Sequence, residues 1–377
     1  MPEYDEENKS DGAISVAEMA PDVDVMIIGH AHITFSQENG PDEIVVGAPR
    51  NNGREVVVID LVVDDSGEDV KILDKSVEIV LMDDVKPDAK LREATKDGHQ
   101  AALEFINGGG AAMGEIMKGQ ATPGVFGVAT ANFQPENEIK DIPEGKLQDT
   151  AVVDLINKVQ LKYSGADVSA AALFKDTSDL KKGDITYANI FDIYKFDNQL
   201  YTVEVTGAEL KAYMEWSAAC YNQWVPGDIS ISFNPEKPGY LYDMFEGVDY
   251  KIDLSKPEGS RIVDVMFKGA PLKDDQKLVL AVNNYRYSSA LKTDGLVAGT
   301  KSWESPVAIR DYLVEYITEQ GEIKPEVTNN WEIVGVDLDS PYRDEVIKMV
   351  NDGKLDVPYD KSLNVDELLK AGTIKAK

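Results

Sequence analysis

Lys182-Gly-Asp-Ile-Thr-Tyr-Ala-Asn-Ile-Phe-Asp-Ile-Tyr-Lys-Phe-Asp-Asn198, continued by Leu200-Tyr-Thr-Val-Glu-Val-Thr-Gly-Ala-Glu-Leu210, is the stretch from which the fold can be read. Residues 199–205 are rich in β-branched and aromatic side chains and read as a strand. Thr206-Gly-Ala-Glu209 then forms a capping box, in which the hydroxyl accepts from the amide three residues on and the glutamate reaches back. Leu210, Tyr213, Met214 and Ser217 follow at i, i+3, i+4 and i+7, one face of a helix. Ahead of the strand, Asp197-Asn198 makes a polar turn that leaves Phe196 at the strand entrance.

Working outward, Val152, Leu155, Ile156 and Val159 repeat the helical period, as do Ile309, Tyr312, Leu313, Tyr316 and Ile317 after Ser305-Pro306, which reads as a helix start. Residues 166–173, 261–268 and 277–284 read as strands. Because helices and strands do not alternate strictly, the expected class is α+β, a mixed sheet with helices and not a doubly wound one. Two short helices are expected near 342–350 and 365–371, ended by Gly353 and Gly372. Toward the N-terminus, 23–28, 44–47, 55–63 and 70–80 read as short strands, too few for an independent α/β domain. One helix is expected from Lys86 to Ile106, with Leu91, Ala94, Gly98, Ala102, Phe105 and Ile106 near one face, stopped by Asn107-Gly-Gly-Gly110. That glycine run is no dinucleotide fingerprint, since position 113 is Met and the run follows a helix. The expected organisation is therefore a β-rich end piece over 1–82, a linker helix and glycine hinge over 83–110, a main domain over 111–338 and a helical tail over 339–377.

With 377 residues and 43% hydrophobic composition, the chain can bury one large or two medium cores. Its 68 acidic against 38 basic residues give a formal charge of −30, which repels nucleic-acid polymers and anionic lipid over most of the surface. A small anionic ligand in a local cleft remains compatible with that charge. No apolar run reaches the roughly 18 residues of a membrane span, and Met1-Pro2-Glu3-Tyr4-Asp5-Glu6-Glu7 inverts the order of a signal peptide, so neither is expected in this chain. The sole cysteine, Cys220, excludes an intrachain disulfide and a cysteine-rich zinc site. It is expected to pack in an amphipathic helix beside Tyr221 and Trp224. The acidic runs Asp5–Glu7 and Asp64–Asp69 read as solvated loops without calcium-loop spacing.

Gly29-His30-Ala31-His32 follows the apolar strand 23–28, where a strand end commonly presents ligands. The i, i+2 spacing is read as sending the two imidazoles apart, so that one reaches a given metal while its neighbour binds something else. With the preceding Asp22-Val-Asp-Val-Met-Ile-Ile, this stretch resembles the last metal motif of the calcineurin-like metallophosphatase domain of 5′-nucleotidases and bacterial 2′,3′-cyclic-nucleotide 2′-phosphodiesterases. That resemblance implies two divalent metals, of zinc, manganese or cobalt type, held by Asp, His and Asn and activating a water against phosphorus, with His30 and His32 as the final motif. The family's earlier motifs, D-x-H, G-D, G-N-H-E and a lone histidine, precede G-H-x-H, whereas here 28 residues precede Gly29 and the chain has three histidines, His30, His32 and His99. The expectation is an incomplete metal site and a chain that is catalytically incompetent unless a missing N-terminal phosphatase segment supplies the rest.

A longer resemblance, over most of 120–336, is to the family's C-terminal nucleotide-binding domain. It is carried by the opening stretch, by Leu278-Val-Leu-Ala-Val-Asn-Asn-Tyr-Arg-Tyr287, by Tyr240-Leu-Tyr-Asp243 and by Asp339-Ser-Pro-Tyr-Arg-Asp344. It implies a nucleoside or nucleotide ligand whose base stacks between Phe196 and Tyr285, with Asn198 on the base edge, Asp294 on ribose hydroxyls and Arg286 on phosphate or ribose. The residues themselves leave alternatives: Phe196 as core filling, Tyr285 as part of a half-buried strand, Arg286 as a solvated surface residue. Ser288-Ser289 stands where a glycine pair is common, which puts Asp294 in question. The implied function is the nucleotide-binding part of a metal-dependent phosphoester hydrolase of nucleotide catabolism, the alternative a non-catalytic nucleotide-binding module. The family's setting implies a periplasmic, secreted or cell-wall-attached protein.

Overall fold

The computed structural model describes residues 16, 19–20, 22–30, 32–37, 44–67, 69–108 and 124–376. The chain divides into two compact units, Met1–Gly98 and His99–Lys377. The acidic run Asp5–Glu7 and the glycines Gly109 and Gly110 lie outside the described residues.

In the first unit, strand Val45–Ala48 is the middle of a three-stranded sheet, parallel to Val25–Ile27 and antiparallel to Phe35–Gln37. A long hairpin, Glu55–Asp64 with Lys71–Leu81, packs beside it. The packing is close enough to require Gly47, where an added Cβ would lie 2.6 Å from Val57 Cγ1. Glu55 is buried beneath it and accepts from the Thr34 hydroxyl at 2.8 Å and the Arg50 amide at 2.9 Å. The strand Phe35–Gln37 has only three residues, too few for alternation to register in the sequence. The single helix expected over 86–106 is two. Ala89–Ala94 is capped by the Asp88 carboxylate, which accepts from Leu91 N at 2.8 Å, and Lys96–Gly108 follows. Between them Thr95 donates to Leu91 O through both its amide, at 3.0 Å, and its hydroxyl, at 2.9 Å, the back-bonding that bends and weakens a helix.

The second unit is built on a five-stranded mixed sheet in the order Asp243–Glu246, Val168–Ala172, Lys277–Asn283, Gln199–Thr206, Lys301–Ala308. A four-stranded sheet (Ala270–Pro271, Ile262–Phe267, Asp249–Asp253, Trp331–Val334) and a three-stranded one (Glu322–Ile323, Val125–Ala129, Gly183–Thr186) complete the β structure. Helix Ala151–Ser164 covers Val168–Ala172 with Val152, Ile156 and Val159, all fully buried. The capping box forms as the sequence dictates: Glu209 N donates to Thr206 Oγ1 at 3.2 Å and Thr206 N to Glu209 Oε2 at 2.7 Å, opening helix Gly207–Ala218. The mixed sheets with helices are the α+β class expected from the sequence.

Three local readings change. Ser305-Pro306 lies in the edge strand Lys301–Ala308, not at a helix start, and the helix begins at Ile309. Proline is tolerated on an edge strand, and here the Ser305 hydroxyl accepts from Leu200 N at 2.9 Å across an irregular register. Strand 277–284 stops at Asn283, whose side chain caps a turn by accepting from Arg286 N at 2.8 Å, so Tyr285 stands on a helical turn and not in a strand. Cys220 is buried but sits beyond the end of Gly207–Ala218, and burial pushes its thiol pKa up, away from nucleophilic use. The C-terminal helices Arg343–Asn351 and Val365–Lys370 pack Val346, Val350 and Leu368 into the same core as the central sheet.

Gly207 marks the tightest fit of the capping box, since a Cβ there would meet Lys273 O at 2.1 Å. Gly207→Ala is expected to cost about 1–3 kcal/mol in urea unfolding at an unchanged m-value, and a midpoint equal to wild type would show that the loop yields freely.

Candidate functional site

The antiparallel pairing of Gln199–Thr206 with Lys277–Asn283 runs in register from Lys277 opposite Thr206 to Asn283 opposite Leu200. Phe196, just before the first strand, and Tyr285, just after the second, therefore emerge at the same end of the sheet, on neighbouring strands about 4.8 Å apart. Both rings are exposed, Phe196 to 44% and Tyr285 to 53%, while Tyr187, Tyr194, Tyr213, Tyr242 and Phe245 are buried. Core filling is thus excluded for Phe196. Its ring is met edge-on by Phe174 at 5.0 Å between centroids, and Lys195 Nζ stands 5.2 Å from the centroid.

The other predicted contacts fall differently. Asn198 is half-buried and its carbonyl accepts from Ile309 N at 2.9 Å. Asp294 is exposed at the end of the π-helical segment Tyr287–Thr293, on which the Ser288 and Ser289 hydroxyls donate to Asn284 O and Tyr285 O, each at 2.8 Å. Hydroxyls bonded four residues back let serine serve in a regular segment where a flexible glycine pair was anticipated. Arg286 is neither a surface residue nor placed to meet a phosphate. It is 2% exposed, its Nε lies 2.5 Å from Asp243 Oδ2, its Nη2 donates to Tyr240 O at 2.5 Å and its guanidinium covers the Trp216 ring at 4.8 Å. Burial opposes its charge, but Asp243 and its other neighbours outweigh that and hold its pKa above the usual range. Tyr213 completes the cluster by donating to Asp243 Oδ2 at 2.8 Å.

His30 and His32 are both exposed and both in the left-handed backbone region, with φ of 71° and 57°. Their imidazoles do not diverge as the spacing was read: the centroids are 6.3 Å apart. Side chains at i and i+2 share a face of an extended strand in any case, and this segment is not extended. Among the described residues no carboxylate, cysteine or third histidine joins them in a cluster of ligand atoms. Two imidazoles alone do not fit a two-metal centre.

The family known as 5′-nucleotidase, C-terminal domain, matches residues 126–295, the segment that holds both rings. Residues 126–295 carry a 5′-nucleotidase C-terminal domain. The trifunctional nucleotide phosphoesterase of Bacillus subtilis is 27% identical over 83% of this chain, and the 2′,3′-cyclic-nucleotide 2′-phosphodiesterase/3′-nucleotidase of Yersinia enterocolitica 25% over 88%. The chain spans 23% of the length of the first and 56% of the second. A structure described as a 5′-nucleotidase from Staphylococcus aureus, in complex with alpha-ketoglutarate, superposes with a TM-score of 0.65 at 20% identity, covering 86% of this chain and 59% of that one, a likeness of fold. No helix among the described residues is long and apolar enough to cross a membrane.

The 5′-nucleotidase C-terminal domain also holds a feature that the sequence reading missed. Asp149, Asp154 and Glu246 bring carboxylate oxygens within 4.8 Å of one another, beside a cavity of about 390 Å³. Thr328 ties them together, its amide donating to Asp154 Oδ2 at 2.8 Å and its hydroxyl to Glu246, while Trp331 Nε1 donates to Asp149 Oδ1 at 3.2 Å. Burial first, then the neighbouring Asp149 and Glu246 charges, push the Asp154 pKa up to about 8, against the lowering effect of the Thr328 amide. Glu246 is raised too, by burial first and then by the Asp149 and Asp249 charges. A carboxyl whose folded pKa exceeds its unfolded value favours the fold while protonated. That contribution is full below the 3.8 of a free Asp and is lost as pH rises toward 8. Asp154→Asn is expected to flatten the decline of thermal stability between pH 4 and 8 and to raise Tm at pH 8 relative to wild type; an undiminished decline in the variant would place its origin elsewhere.

Proposed function

We propose that this chain is the nucleotide-binding part of a metal-dependent phosphoester hydrolase of nucleotide catabolism, of the 2′,3′-cyclic-nucleotide 2′-phosphodiesterase/3′-nucleotidase or 5′-nucleotidase type. The nucleobase enters between Phe196 and Tyr285. The observation that carries this reading is the pair of exposed rings, Phe196 and Tyr285, set by strand register at one sheet end. Stacking on two rings suits any purine or pyrimidine and contributes about 1–3 kcal/mol per base. The Asn198 side chain is assigned to the base edge and Asp294 to ribose hydroxyls. The two metals belong to the whole enzyme, with His30 and His32 contributing at most part of their ligand set, so this chain by itself binds and does not hydrolyse. The relatives' names support the reaction class, and the lone histidine pair supports the division of labour.

Calorimetry with adenosine and AMP is expected to give saturable binding that the Phe196→Ala, Tyr285→Ala double variant weakens by roughly 30-fold or more. Unchanged affinity in that variant would remove the clamp. In parallel, 2′,3′-cyclic AMP and p-nitrophenyl phosphate with added manganese or cobalt should show no turnover by the purified chain, and metal-dependent release of phosphate would overturn the assignment of hydrolysis to the larger assembly.

A further inference from the structure

Arg310 lies beyond the segment matched to the family, in the first turn of helix Ile309–Gln320, and its charge is directed away from solvent. The guanidinium is committed on every nitrogen. Nε donates to the Tyr187 hydroxyl at 2.7 Å, Nη1 donates to Lys195 O at 2.9 Å and Nη2 donates to the Asp197 carboxylate. Lys195 and Asp197 are the residues on either side of Phe196. The preceding residue continues the grip, since Ile309 N donates to Asn198 O. The rings of Tyr187 and Phe191 lie against the same guanidinium, at 5.4 and 5.1 Å.

Resting on the base-clamp reading, we propose that Arg310 is the positioning residue for the Phe196 ring. An exposed phenylalanine on a turn, met here by the edge of Phe174 and by the Lys195 ammonium, is not fixed in direction by a packed core, so the backbone on both sides must be held from elsewhere. A planar guanidinium with donors in a rigid fork can span a carbonyl at one flank and a carboxylate at the other. A lysine ammonium is a point charge on a flexible stem and cannot hold both in a fixed geometry. Binding surfaces lose much of their effect when a supporting residue lets them loosen by about 1 Å. Arg310 touches no ligand in this arrangement. It acts through the loop, and its partner Asp197, 80% exposed on its side chain, is the part of the device that can be altered without disturbing the core.

The test uses the full chain with 4-fluorophenylalanine placed at position 196, read by fluorine NMR without ligand, together with calorimetric titration of adenosine. In wild type one sharp resonance is expected. Arg310→Lys and Asp197→Asn are expected to broaden or split it and to weaken adenosine binding by about 10-fold, the loss of part of one ring's stacking, while the circular dichroism spectrum stays that of wild type. Asp197→Asn decides the matter if Arg310→Lys fails to fold. An unchanged resonance and unchanged affinity in Asp197→Asn, with Arg310→Lys either the same or unfolded, would overturn the proposal. If adenosine binding is absent in wild type, or persists in Phe196→Ala, the base clamp itself falls and the positioning role falls with it. If binding is lost in Phe196→Ala yet intact in both loop variants, the clamp stands and Arg310 is only a structural residue.

Discussion

The antiparallel register between Gln199–Thr206 and Lys277–Asn283 is the constraint on which the aromatic end of the molecule depends. A slip of one residue in a sheet exchanges the faces of every side chain. Here it would also displace Tyr285 relative to Phe196 by more than 3 Å along the strands. Neighbouring pairings carry the same end outward. Asp243 opposes Ala172, and Val168–Ala172 runs parallel to Lys277–Asn283, so Phe174, Asp243, Asn283 and Phe196 all gather where those strands meet their loops. Ligand-presenting groups drawn from several strand ends share the rigidity of the sheet beneath them.

Two buried arginines stiffen what the sheet aligns. Arg286, next to Tyr285, is neutralised by Asp243 and stacked on Trp216; Arg310 reaches both neighbours of Phe196. A buried ion pair is an uncertain source of stability, because desolvation offsets much of the attraction. What it supplies in both places is direction: a planar cation with partners on several sides leaves few alternative arrangements for the turn that carries it.

How far the sequence could be read depended on the range of the interactions. The capping box of Thr206 and Glu209, the strand 199–205 and the helical periods at Val152 and Leu210 are set by neighbours within a few residues, and they formed where expected. Phe196 and Tyr285 could be singled out as a pair through a family resemblance, though the turn under Tyr285 depends on a single cap by Asn283. Arg286 could not be placed, because nothing in Tyr-Arg-Tyr reveals an Asp243 carboxylate arriving from another strand. Arg310 was still less legible: its bond to Lys195 joins residues 115 apart. The carboxylates of Asp149, Asp154 and Glu246 meet for the same reason, through packing of a helix on a strand that no local spacing encodes. Thr95, by contrast, was a local signal overlooked, since its hydroxyl needs only the carbonyl four residues back.

The C-terminal segment has a consequence for how the protein comes into being. Lys146, buried near the start of the second unit, donates to the Tyr359 hydroxyl at 2.9 Å, 213 residues later in the chain. Residues leave the ribosome at about 5–20 per second, so this ammonium waits roughly 10–40 s before its phenolic partner and the Phe233 and Tyr359 rings can close over it. During that interval the nascent domain holds a cation at a site that is not yet sealed. Closure of this site therefore waits on translation of the segment that carries Tyr359.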